Sequence, residues 1–267
     1  MQKTILITGA TDGIGQETAK MLASQGYNVL LHGRNQAKLE NVEKDISALA
    51  VGGRVESYVA DMSNMAEVEA LAKAVAAKHD RIDVLINNAG IFKTADPITP
   101  EGLDARFVVN TNAPYLLTRR LLPLLGNSGR VVNLSSAAQA PVDPEALAGQ
   151  VRLADMPAYA QSKLALTMWS RSMALELGVE GPAIIAVNPG TLLASKMVKE
   201  GFGVAGNDLS IGADILCRVA LDDEFASASG KYFDNDAGRF NAPHPDGLDP
   251  QKSKKIVRVI ETVLANN

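Results

Sequence analysis

Six short apolar runs recur along the chain, separated by stretches of the length and spacing of helices: TILIT at 4–8, NVLLHG at 28–33, RVESYV at 54–59, IDVLINN at 82–88, RVVNLS at 130–135 and AIIAVN at 183–188. Each run has the length of a strand. The segments between them repeat at three and four residues, as in Ile14, Thr18, Met21, Leu22 and in Val68, Leu71, Val75. Strands that alternate with helices imply a parallel sheet covered on both faces. Right-handed crossovers then favour a doubly wound parallel β-sheet, an α/β fold. The 267 residues, 46% of them hydrophobic, supply one sizeable core. With no linker, low-complexity tract or short repeat, the expectation is a single domain over residues 1–267.

The bulk chemistry excludes several function classes. A net charge of −4 with interspersed signs offers no field for nucleic acid. Cys217 is the only cysteine, so no internal disulfide forms and no oxidising compartment is called for. The N-terminus lacks a signal peptide and no apolar run reaches a membrane span, which gives the expectation of a soluble, cytoplasmic protein. His32, His79 and His244 lie far apart, and no ligand spacing supports a metal. Glycine and proline concentrate at 181–206 and 238–250, read as loops over the sheet edge, and a final helix is expected from Asp249 as N-cap and Pro250 as first residue.

A doubly wound sheet binds ligands outside the carboxyl ends of its strands. TGATDGIG, Thr8 to Gly15, leaves the first strand and opens the first helix. Gly9 permits a tight turn, Gly13 lets the backbone approach a ligand, Gly15 lets helix and strand pack, and the helix N-terminus faces an anion such as a pyrophosphate. The alternative is a plain turn into a helix. After the second strand, Gly33 leaves space and Arg34 supplies a cation where an acid would repel a 2′-phosphate, which favours NADP(H) over NAD(H). Arg34 as a solvated loop residue is the competing reading. After the third strand, Asp61 and the Met62 backbone are placed to hold an adenine edge, or Asp61 or Ser63 caps the next helix.

Taken in order, Gly9, Gly13, Gly15, Asp61, NNAG at 87–90, Asn110, Ser135 and Ser136, Tyr159, Lys163 and NPG at 188–190 resemble the short-chain dehydrogenase/reductase family over nearly the whole chain. The long gap between Ser136 and Tyr159, SGKYF at 229–233 and PDGLDPQ further on resemble its branch of retinol dehydrogenases and related carbonyl reductases. The resemblance implies a Rossmann fold and a catalytic set of Asn110, Ser136, Tyr159 and Lys163. The family's catalytic serine stands seven residues past the glycine that opens GRVVNLSS, here Gly129, so the resemblance points to Ser136, with Ser135 as the alternative. It further implies cofactor contacts from Gly9, Thr11, Asp12, Gly13, Ile14 and Gly15 at the first strand, and from Arg34, Asp61 and Met62 at the second and third. Asn88, Ala89 and Gly90 would flank the cofactor at the fourth strand, with Pro189, Gly190, Thr191 and Leu192 along the nicotinamide. Ala194 stands where many relatives carry threonine, so a hydroxyl contact to the carboxamide falls to Thr191 or Ser195.

The chemistry accounts for these residue types. Hydride reduction of a carbonyl leaves an alkoxide that needs a proton. Tyr159 is the donor, and Lys163, one helical turn away, is expected to favour its phenolate and to bind the nicotinamide ribose. Ser136 donates to the substrate oxygen. Pro114 has no N–H, so the Asn110 carbonyl loses its helical partner and the helix bends there; a water held at that carbonyl would extend proton transfer through Lys163, and a mere kink in a core helix is the alternative.

Segments 137–156 and 191–210 are expected to cover the site with Ala137, Pro141, Val142, Leu147, Val151, Leu193, Met197, Val198 and Phe202, which points to an apolar carbonyl or alcohol; the alternative is that these residues only pack the covering segments onto the core. Gly201, Gly203 and Gly206 suggest a mobile lid. The resemblance also implies a homodimer or homotetramer, with Met168, Trp169 and Met173 at an interface or in the core. Two other function classes compete: a non-catalytic NADP-sensing protein, and a nucleotide-sugar epimerase or dehydratase, which the short segment after the sixth strand disfavours.

Overall fold

The computed structural model describes residues 2–195, 197–199, 203 and 205–266. β1 (Thr4–Ile7), β2 (Asn28–Gly33), β3 (Val55–Val59), β4 (Val84–Asn87), β5 (Arg130–Leu134) and β6 (Ala183–Asn188) form on the six apolar runs. They pair parallel in the order β3-β2-β1-β4-β5-β6, and β1 is flanked by β2 and β4. The order in which the strands are added therefore reverses at β1/β4, where the strand exits open into a crevice. Alternation along the strands sends Leu6, Leu30, Leu85, Val131 and Ile184 into the core on one face, and Ile5, Ile7, Leu31, Val132 and Ile185 into the core on the other.

The sheet continues beyond the sixth strand. β7 (Tyr232–Asp234) pairs parallel with β6, and β8 (Arg239–Asn241) closes the edge antiparallel. Residues 238–250 are thus not loop throughout. Three-residue strands carry too little alternation to be read from sequence, and they form here by backbone pairing around Phe225, Phe233 and Phe240, whose ring centroids lie 5.2–5.5 Å apart.

The helices α1 (Gly13–Ser24), α2 (Gln36–Ser47) and α3 (Met65–Lys78) follow the first three strands. Asn64, not Asp61 or Ser63, caps α3, accepting from the Ala66 and Glu67 amides. Next come α4 (Ala105–Phe107), a π turn at Val108–Asn112, α5 (Ala113–Leu125), α6 (Pro144–Leu147), α7 (Asp155–Leu177), α8 (Leu209–Leu221) and α9 (Pro250–Ala265). Asp249 caps α9 as expected, bonding the Gln251 and Lys252 amides. α9 lies against α7. Met168, Trp169 and Met173 are buried within this chain, so they belong to its core and not to a subunit interface. Among the described residues no helix is long and apolar enough to cross a membrane.

One buried ion cluster fixes two helices relative to each other. Arg106, 2% exposed, gives Nε and NH2 to the two oxygens of buried Asp104 at 2.8 and 2.7 Å, and NH1 to Asp155, the first residue of α7. Asn110 lies one turn after Arg106, and Tyr159 one turn after Asp155. The cluster thereby registers the helices that carry both. Removing the cation strands a buried carboxylate, which costs about 3–5 kcal/mol, whereas losing the half-exposed Asp155 charge costs about 0–1 kcal/mol. Arg106→Leu should accordingly lower the urea midpoint far more than Asp155→Asn; equal midpoints would show that the cluster does not set the packing.

Candidate active site

The β1 exit forms a tight cradle. Gly9 and Gly13 hold φ of +66° and +53°, in the left-handed region that favours glycine. A Cβ on Gly15 would stand 2.3 Å from Asn88 Nδ2 and 2.5 Å from the Gly9 carbonyl oxygen, so the helix starts against bare backbone. Asn88 donates from Nδ2 to the carbonyls of Thr8 (2.8 Å) and Gly9 (3.0 Å), and the Thr8 hydroxyl accepts from the Asn88 and Ala89 amides. These bonds join the β1 and β4 exits at the point where strand order reverses. Asp12 caps α1 through the Gly13 amide and pairs with Lys38 at 2.7 Å. Ile14 sits partly buried in the first turn of α1, packed against the core.

A residue that sequence reading passed over braces this cradle. His32, 2% exposed in β2, accepts from the Gly9 amide at Nδ1 (3.1 Å) and faces the Ala60 carbonyl with Nε2 (3.0 Å), so Nε2 carries the proton. Burial holds its pKa down at about 4, and the ring stays neutral. A histidine inside an apolar strand run was the available signal. Beside it, the Thr11 methyl group occupies the space over Gly33, where a Cβ would come within 2.5 Å. Arg34 is exposed and has no ion pair among the described residues. Asp61 turns its carboxylate onto the Ser63 amide (2.8 Å) and hydroxyl (2.7 Å), and Met62 is buried.

The catalytic candidates meet beyond β4 and β5. Without an N–H on Pro114, the helix widens into the π turn, closed by Ala113 N to the Val108 carbonyl. The Asn110 side chain is fully engaged: Oδ1 accepts from Ile91 N (2.8 Å), and Nδ2 donates to the Ile91 carbonyl and the Ser162 hydroxyl (both 2.9 Å). A Cβ on Gly90 would lie 3.3 Å from Asn110 Oδ1 and 3.4 Å from Lys163 Nζ, which brings these three positions to one spot. The Ser136 hydroxyl lies near enough to the Tyr159 phenol to pull its pKa down against the effect of burial. Ser135 faces away, with its hydroxyl 2.7 Å from Thr167 Oγ1 and 3.2 Å from the Lys163 carbonyl.

The electrostatics differ from expectation in one respect. Lys163 Nζ lies 5.7 Å from the Tyr159 ring centroid and donates to the Leu134 carbonyl at 2.7 Å. Burial pushes the phenol pKa up, opposed only by the bond from Ser136, and lowers the ammonium to about 8. Burial, not the neighbouring cation, thus dominates the phenol, and it stays protonated at neutral pH.

The β6 exit turns under the β7–β8 hairpin. Thr191 gives its amide (2.8 Å) and its hydroxyl to Asp236, so that hydroxyl is already engaged. Asn188 Nδ2 reaches Asp234 and Asp236, and Asn235 Nδ2 the Pro189 carbonyl (2.9 Å). Bonds from Thr191 and Asn188 outweigh the effect of burial and hold the Asp236 carboxyl below its ordinary value. Gly190 and Leu192 have φ of +129° and +52°. Ser195 approaches the cradle: its Cβ is 3.5 Å from where a Cβ on Gly13 would stand.

The apolar residues assigned to the covering segments divide. Leu147, Leu193 and Val198 are buried, Val142 and Val151 pack against the core, and Ala137 and Pro141 are exposed. Met197 is partly buried, while Phe202 and Gly201 lie outside the described residues. Among the described residues no His, Cys, Asp and Glu cluster has the makings of a metal site. The glycines that admit no Cβ and the start of α1 directly after them fit the close approach of a dinucleotide's pyrophosphate.

The chain matches the family described as short chain dehydrogenase over residues 3–202. It is 31% identical to mouse Retinol dehydrogenase 13 over 95% of this chain and 81% of that protein, and 34% identical to mouse Retinol dehydrogenase 12 over 86% and 77%. Among solved structures, a protein from Mycobacterium paratuberculosis described as putative uncharacterized superposes with a TM-score of 0.81 at 26% identity, over 99% of this chain and 94% of that one. A short chain dehydrogenase from Burkholderia cenocepacia in complex with NADP gives 0.70 at 28%, over 87% and 95%. With the crevice, the glycine cradle and the ordered motifs in place, the chain belongs to the short-chain dehydrogenase family and resembles its retinol dehydrogenase branch.

Proposed function

We propose that this protein is an NADP(H)-dependent oxidoreductase that interconverts an apolar aldehyde or ketone with its alcohol, using Tyr159 as general acid and base. The observation that carries the reading is the meeting of Tyr159 and Lys163 one turn apart on α7, with the lysine Nζ 5.7 Å from the tyrosine ring centroid and beside Asn110 and Gly90, while Ser136 at the end of β5 acts on the same phenol. When bound, the nicotinamide supplies or accepts the hydride. Ser136 and Tyr159 donate to the substrate oxygen, and Tyr159 delivers its proton as charge builds there. Lys163 stands ready to stabilise the phenolate that remains and to orient the cofactor's ribose. The backbone carbonyl of Asn110, freed by Pro114, is the acceptor for a water that links Lys163 to solvent. NADP complexes among the related structures, and the unpaired Arg34, support the choice of NADP(H). Residues 137–156 and 191–210 serve as the substrate-covering segments of a single domain.

Two measurements test this reading. Oxidation of NADPH is followed with a panel of apolar and polar carbonyls. Turnover is expected with the apolar set, and Tyr159→Phe should lower kcat by about 10²–10⁴-fold while leaving NADP binding in place. NADPH binding without turnover, unaffected by Tyr159→Phe, would instead make the protein a nucleotide sensor. For the cofactor, Arg34→Ala should cut the preference for NADP over NAD by about 10–100-fold, the loss of one charge-assisted phosphate contact. Unchanged preference in binding titrations would remove Arg34 from the site.

A further inference from the structure

We infer that Asp236, in the turn of the β7–β8 hairpin, is a positioning residue that holds the turn after β6 in the shape required by the nicotinamide end of the cofactor. The inference rests on the proposed function above, which lays Pro189–Leu192 along that ring.

The carboxylate stands where three donors converge. Oδ1 accepts from the Thr191 amide at 2.8 Å; Oδ2 accepts from Asn188 Nδ2 at 2.9 Å and from the Thr191 hydroxyl. Only an acid offers acceptors to all three, because an amide would turn an NH2 group toward at least one donor. The hairpin adds Asn235 N to the Asn188 carbonyl at 3.1 Å and Asn235 Nδ2 to the Pro189 carbonyl at 2.9 Å. From the opposite side, Asn207 donates its amide to the Leu192 carbonyl (2.7 Å) and Nδ2 to the Thr191 carbonyl (3.1 Å).

Between the two clamps lies Leu192, at φ +52° the one non-glycine residue in the left-handed region among those described. A leucine adopts that conformation only when its surroundings over-determine it. Leu193 follows and packs against Gly190, with its Cδ1 2.5 Å from where a Cβ on Gly212 of α8 would stand. Ser195 then reaches the cradle at Gly13. One carboxylate on the sheet edge therefore anchors the start of a segment that runs from the β6 exit to the phosphate end of the crevice. Its action on the cofactor passes through Thr191 and Asn188, the residues its carboxylate holds.

The test is a binding experiment on the whole chain. By calorimetry, Asp236→Asn should weaken NADP+ binding by about tenfold, one charge-assisted hydrogen-bond set being lost. It should leave 2′,5′-ADP, which lacks the nicotinamide end, unaffected. Thr191→Val should reproduce that pattern, Thr191→Ser should retain tight binding, and the Asp236→Asn/Thr191→Val double variant should bind no more weakly than either alone. Amide exchange at 190–195 should quicken in Asp236→Asn without a drop in the thermal midpoint of the whole protein. The proposal is overturned if NADP+ affinity is unchanged, if 2′,5′-ADP weakens equally, or if the two substitutions add. Absence of NADP+ binding by the unsubstituted protein would instead overturn the proposed function itself, and this inference with it.

Discussion

A lysine ammonium buried without a carboxylate partner among the described residues constrains the whole site. Lys163 is 4% exposed, and the group it bonds is a strand-end carbonyl, that of Leu134. A lone charge in such surroundings is unfavourable, and its pKa falls to about 8 for that reason. The same desolvation raises the neighbouring phenol. The two shifts act together, so burial alone separates a proton-holding tyrosine from a lysine that gives up its proton unusually easily. That state suits donation to an oxygen that becomes negative. The reverse direction needs the phenolate, and there an added positive charge, not burial, must do the stabilising.

The π turn shows how local covalent chemistry becomes site geometry. Pro114 removes the N–H that the Asn110 carbonyl would take in a regular helix, and the ladder re-forms one residue longer between Ala113 and Val108. The widened turn leaves the Asn110 side chain free to bridge the Ile91 backbone and Ser162 on α7. Both N–H groups of that amide are taken by protein partners, so the side chain acts as a strut between the β4 exit and α7. The Arg106 cluster one turn earlier prevents the two helices from sliding, so the bridge keeps its length.

Much of this was legible before any coordinates. The runs at 28–33 and 183–188 match β2 and β6 residue for residue, because β-branched and aliphatic side chains buried on both faces leave a continuous apolar signature. The glycine cradle and the order of Asn110, Ser136, Tyr159 and Lys163 were readable from spacing and resemblance. What escaped was long-range. His32 meets Gly9 across 23 positions, Arg106 meets Asp155 across 49, and Thr191 meets Asp236 across 45. No periodicity encodes such pairs, and β7 and β8, at three residues each, are defined by their neighbours and not by their own pattern. The reading of Asp61 as a cap failed for a smaller reason: Asn64 lies nearer the helix and accepts from two amides at once.

The adjacent serines show how far a simple backbone rule reaches. Consecutive residues at a strand's end point to opposite sides, so Ser135 and Ser136 cannot share a task. Ser135, buried, ties the end of β5 to α7 through Thr167 and the Lys163 carbonyl. Ser136 turns to the Tyr159 phenol, and its own carbonyl is held by the Tyr232 hydroxyl at 3.1 Å from β7. One serine thus fixes the helix that carries the lysine, and the other meets the tyrosine on that helix. The alternation of the strand gives the two hydroxyls different surroundings, one against α7 and one toward the phenol.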